Sequence, residues 1–256
     1  MLINNHKFNI IMKDNNLTKA DKTYHKSHYI FIGLAIICFL GFYKTYFGSI
    51  ASFSSTKLVV HCHAVTVTLW LFILIVQPIF IVQKKITIHK FLGRLTYYLF
   101  PFIIIFVLLM EKSLYQKLEL EHSSHQNNLA GHFAPFTNTI PFALFYLLAL
   151  KYKKNVGVHA RYMVGTGLML LSSGLWRIFN RWLHLDIGIS FEYALWITLF
   201  VIVAFIIYDK LKGIPLKRNP FTLIALIHLI TNILSISFPH TAYWQSFSQW
   251  IVTNTF

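Results

Sequence analysis

Residues 57–82 read KLVVHCHAVTVTLWLFILIVQPIFIV, and from Leu58 to Val82 there is no charged side chain. A helix rises about 1.5 Å per residue, so roughly 20 apolar residues cross the ~30 Å hydrocarbon layer of a bilayer, and this stretch is long enough. Similar runs begin near Tyr29, Phe91, Leu129, Val158, Phe191 and Phe221. Counted by that length rule they make about seven spans. Composition agrees: 56% of the 256 residues are hydrophobic, 17% are aromatic and only 12% are charged, against roughly 25% charged in a soluble domain. The expected fold is an all-α integral membrane protein with seven transmembrane helices in one bundle. A polar tail covers 1–28, the bundle covers 29–256, and its core lies at 58–181.

The formal net charge is +15. Its placement points away from nucleic acid. One set of loops and helix ends carries the N-terminal lysines, Lys84, Lys85, Lys90, Arg94, Lys151, Lys153, Lys154, Arg161, Lys210, Lys212, Lys217 and Arg218. On the other side Lys44, Lys57, Lys112, Lys117, Arg177 and Arg181 are offset by Glu111, Glu119, Glu121, Asp186 and Glu192. Basic residues collect on the cytoplasmic face of membrane proteins, which puts the N-terminus in the cytoplasm and, after an odd number of spans, the C-terminus outside a plasma (inner) membrane. The surplus then meets anionic lipid. The first 28 residues lack the apolar core and cleavage site of a signal peptide. Tyr243–Trp250 reads as an aromatic anchor at headgroup level. Lys44 falls before the outer boundary of the first span, so it must snorkel or end that helix early. Cys38 and Cys62 are the only cysteines, too few for a disulfide framework or a cysteine metal site.

Histidine carries the remaining signal. Four consecutive helices open with one: His61 and His63 on the second, His89 on the third, His132 on the fourth and His159 on the fifth. Alternating helix direction places the second and fourth starts on the outer side and the third and fifth on the inner side. Two histidine pairs at two depths are expected. Opposed imidazoles on neighbouring helices are the axial ligands of six-coordinate haem, and a bundle supplies its apolar pocket. A histidine near a helix end also serves without any ligand, by hydrogen bonding to water or backbone. His61 and His63 stand about 200° apart on a helix, so only one faces a given partner. His63 shares a stripe with Trp70 and Gln77 and is the better-placed interior residue.

The series His63, Gln77, His89-Lys-Phe-Leu-Gly-Arg94, Tyr97, His159-Ala-Arg-Tyr-Met163 and Arg177 resembles a family of bacterial multi-helix membrane proteins of unknown function, over roughly Leu58 to Arg181. That resemblance implies a membrane fold and no established activity. The histidine alternation is also similar to the transmembrane di-haem cytochrome b group. It implies electron transport through two b haems, with His61 or His63 and His132 at the outer one and His89 and His159 at the inner one. A membrane redox partner or quinone is implied as well. On the fifth helix Arg177 and Arg181 lie toward the outer end, where a haem propionate, an anionic substrate or Glu192 would pair with them. Gly167 and Gly174, seven apart, open one face to a neighbouring helix or a flat ring.

Two other readings use the same residues. His61, His63 and His132 with a water satisfy zinc, with Glu192 as acid or base, in a membrane hydrolase. Alternatively, the polar fourth helix (Pro135, Thr137, Asn138, Thr139, Pro141) and His228, Thr231 and Asn232 on the last line a small-solute permease.

Overall fold

The structure, a computed structural model, describes residues 24, 26–48, 57–120 and 133–254. Among them the regular elements are all helical. Seven longer helices follow in order: α1 Ser27–Tyr43, α2 Leu58–Val82, α3 Ile86–Leu120, α4 Ala134–Lys151, α5 Val156–Arg181, α6 Ile187–Leu211 and α7 Pro220–Ser237. A shorter α8, Ala242–Asn254, closes the described chain. The helix starts follow the apolar runs closely. Their punctuation is local: Asn155 caps α5 by accepting from the Val158 N–H (3.2 Å), Asp186 caps α6, and Asn219 caps α7 ahead of Pro220 at its first turn.

By length and composition α2, α3 to Ser113, α6, and α7 with the turn after it are apolar enough to cross a membrane. The other three fall short for separate reasons. α1 has 17 residues because the chain turns at Lys44, whose Nζ donates to the Arg181 carbonyl (2.9 Å) and lies 4.4 Å from the Trp182 ring centroid. The helix therefore ends early instead of sending the lysine out by snorkelling. α4 is polar in its first two turns, and α5 carries glycines, serines, threonines and Arg161.

α5 can be that polar because it is enclosed. It packs against α1, α4, α6 and α7, whereas α3 leans mainly on α2 and keeps most of its surface outward. Small residues set how closely the neighbours approach. A methyl group added to Gly41 of α1 would meet the Gly174 carbonyl oxygen and, at 2.9 Å, its Cα. Gly167 lies under Phe31 and Leu34 of α1, and Gly165 under Ile224 of α7 and Phe145 of α4. The glycine face of α5 is thus occupied by helices. On the far side of α4, Trp70 packs edge-on to Phe142 and Tyr146 (ring centroids 5.0 and 5.2 Å), forming the aromatic centre of the core.

The bundle has two distinct ends. Lysines and arginines cluster where α2, α4 and α6 finish and α3, α5 and α7 start, hereafter the basic end. The aromatic C-terminal segment lies at the opposite end as α8, where Trp244 is buried against Phe133, Phe136 and Phe238.

Candidate functional site

The two histidines that open α2 point apart, as the helix repeat requires. His61 Nδ1 lies 2.8 Å from the Tyr46 hydroxyl in the turn after α1. His63 faces the bundle, and its Nδ1 is buried without a hydrogen-bond partner. Arg177 of α5 lies within electrostatic reach of His63, Cys38 and Glu111. Its guanidinium donates to the Ser173 carbonyl (2.8 Å), with its central carbon 3.9 Å from the Phe42 ring centroid and 4.3 Å from that of Trp176. Aromatic faces hold this cation.

His132 lies outside the described residues, so the outer pair and the three-histidine zinc set are defined here only by His61 and His63. Among the described residues, no three metal-capable side chains converge. Cys38 and Cys62 are free thiols.

At the basic end His89 of α3 and His159 of α5 are close enough to interact electrostatically. His159 Nδ1 is 2.9 Å from the Ala149 carbonyl of α4. Because a carbonyl only accepts, Nδ1 carries the proton and Nε2 presents its lone pair, the tautomer a metal-ligating histidine needs. The backbone of His89 is tied to α2 by Gln77, whose Nε2 donates to the His89 carbonyl (3.1 Å). Its own Nδ1 is buried and unpartnered. One turn on, Gly93 leaves room: a Cβ there would meet only Gln77 Nε2, at 3.7 Å. Two imidazoles on separate helices, one with its tautomer fixed, are the donor type that bis-histidine haem ligation uses.

A buried ion pair at this end is the feature most hidden from sequence reading. Arg161 and Asp209 are both fully buried and form a fork: Nε to Oδ2 at 2.7 Å and Nη2 to Oδ1 at 3.1 Å. Nη1 donates to the Gly157 carbonyl (2.8 Å). Tyr24, within the stretch read as a polar tail, donates its hydroxyl to Asp209 Oδ1 (3.1 Å) and lays its ring 4.7 Å from the guanidinium carbon. Burial, and then the Asp209 charge, hold the Tyr24 phenol well above its usual pKa, so it stays a donor. Arg161 reads as an ordinary cytoplasmic charge in the sequence. The available clue is Asp209, the one acidic residue at the basic end beyond the N-terminal tail.

The polar faces of α4 and α7 are joined to their neighbours. Ser235 donates to Thr137 (2.9 Å), Ser172 of α5 to Asn138 (3.3 Å), and Asn232 Nδ2 to the Leu195 carbonyl (3.2 Å), which His228 Nε2 also approaches (3.3 Å). These bonds tie the polar faces to neighbouring helices, while His228 Nδ1 and Asn232 Oδ1 remain unpartnered.

No protein-family model, curated protein or solved structure matches the chain.

Proposed function

We propose that the chain is a seven-span protein of the plasma membrane that binds b-type haem and carries electrons. The one-sided distribution of lysine and arginine supports a cytoplasmic basic end, with the N-terminus inside and the C-terminus outside. α1, α4 and α5 cross together with the four more apolar helices, since their polar groups are satisfied within the bundle.

The observation that supports the redox reading is the placement of His89 at the start of α3 and His159 at the start of α5, at one end of the bundle, with His159 Nδ1 fixed by the Ala149 carbonyl. These two residues would hold the haem, which when bound supplies one-electron chemistry. The chain's own contribution is orientation: Ala149 fixes the ring of His159, and Gln77 anchors the backbone of His89. A second haem would take His63 and His132 at the outer end, beside Arg177 as propionate partner. Trp70, Tyr146 and Phe100 pack ring to ring between these depths, and a quinone or a membrane redox protein is the partner class.

The test is a reduced-minus-oxidised absorption spectrum of detergent-purified protein, with a pyridine haemochrome assay for stoichiometry. The expected result is a b-type spectrum that loses its basic-end component in His89→Ala and His159→Ala. Two haems per chain falling to one in His132→Ala would establish the outer site. A well-folded, colourless protein from haem-replete cells overturns the reading.

A further inference from the structure

Among the described residues, eight buried side-chain nitrogen or oxygen atoms have no hydrogen-bond partner, and four of them belong to one stripe of α2 and the residue whose backbone is tied to it: His63 Nδ1, Trp70 Nε1, Gln77 Oε1 and His89 Nδ1. Three are successive members of the seven-residue stripe of α2, and the fourth is joined to that stripe through Gln77. From His63 to Gln77 is 14 residues, or about 21 Å along the helix, most of a hydrocarbon thickness. Buried polar groups in native proteins are paired with protein or with ordered water, so a row of unpaired ones is where a file of ordered water would sit.

Groups between the four make the file nearly continuous. Thr66, on the same face, gives its hydroxyl proton to the carbonyls of Cys62 and His63 (3.0 and 2.9 Å), leaving oxygen lone pairs to accept. Pro78 interrupts α2 and has no N–H for the Leu74 carbonyl, which frees an acceptor between Trp70 and Gln77. Near the basic end Thr96 gives its proton to the Gly93 carbonyl (2.6 Å), so the Tyr146 hydroxyl, 2.7 Å away, donates to Thr96. The file starts at His63, within electrostatic reach of Arg177, at one end. It finishes at His89, beside the exposed Lys85 and Lys90.

We propose that this file conducts protons across the bundle. Ordered water carries the proton, and the Nδ1 atoms of His63 and His89, the Thr66 and Thr96 hydroxyls and the Gln77 amide order that water. The indole N–H of Trp70 donates without relaying and fixes a water midway. Conduction does not require haem. Absorbance judges the haem reading, so a colourless protein that conducts, or a coloured one that does not, separates the two.

The experiment uses the full chain in liposomes enclosing a pH-sensitive dye, with a potassium gradient and valinomycin imposing an inside-negative potential. Vesicles with the wild-type chain are expected to acidify faster than protein-free vesicles. Trp70→Phe, Gln77→Leu and Thr66→Val are expected to lose the excess rate while retaining helical circular dichroism and monodisperse elution. Trp196→Phe, at an exposed position on α6, should conduct as the wild type does. Wild-type vesicles no faster than protein-free ones overturn the proposal, and so do folded stripe variants that conduct at the wild-type rate.

Discussion

Asp209→Ala is expected to destabilise the protein by about 3–5 kcal/mol, because it leaves the Arg161 guanidinium buried with its main partner gone. Each member of the pair is fully enclosed, so neither can turn to water or to lipid headgroups for compensation. Arg161→Ala should cost nearly as much, by stranding the carboxylate against the single Tyr24 hydroxyl. The double variant Arg161→Met/Asp209→Leu should be far less damaging than the sum, since replacing a buried pair with apolar residues of similar volume is often neutral or stabilising. Thermal unfolding in detergent, completed as a double-mutant cycle, checks both statements. Tyr24→Phe keeps the ring beside the guanidinium and removes one hydrogen bond to a charged group, a loss of about 1.5–3 kcal/mol. If Asp209→Ala unfolds at the wild-type temperature, the fork does not hold the basic end together.

Gly41→Leu is the second large effect. The α1–α5 crossing brings backbone to backbone, and the first atoms a new side chain would strike are the carbonyl oxygen and Cα of Gly174. A backbone atom cannot rotate aside as a side chain can, so α1 must shift away along its outer half. Overpacking of this kind is expected to cost about 2–3 kcal/mol. Gly174→Ala should cost less, because its new methyl would sit 3.0 Å from the Ile37 carbonyl and 3.2 Å from Cys38 backbone atoms. Gly33→Ala is the control, with open space around it. Melting temperatures that fall in the order Gly33→Ala, Gly174→Ala, Gly41→Leu, from least to most affected, are the expected outcome.

Much of this architecture could be read from the chain because lipid and protein interior both select for apolar length. The α2 run starts at Leu58 in sequence and in structure alike, and the shared stripe of His63, Trp70 and Gln77 follows from the helical repeat alone. The rotation separating His61 from His63 was legible for the same reason, but their partners were not. Tyr46 reaches His61 through a turn that periodicity does not describe. The fork at the basic end was hidden because Arg161 and Asp209 are 48 residues apart and Tyr24 lies 185 residues before Asp209. Neither apolar length nor charge asymmetry encodes such a meeting. The enclosure of α5 was equally obscure, since glycine and serine on one helix show that something comes close without saying which neighbour does.

The polarity of α5 also bears on how the chain is built. Insertion into a bilayer is decided helix by helix, and an arginine in the segment disfavours that step by about 2.5–3.5 kcal/mol at mid-membrane and less near the surface. α2, α3 and α6 can partition unaided. α5 emerges from the ribosome before α6, so its arginine waits for an aspartate that has not yet been synthesised. On the seven-span reading proposed above, biogenesis is expected to pass through a stage in which α5 lingers at the translocation machinery, released into lipid only when the end of α6 arrives with the counter-charge.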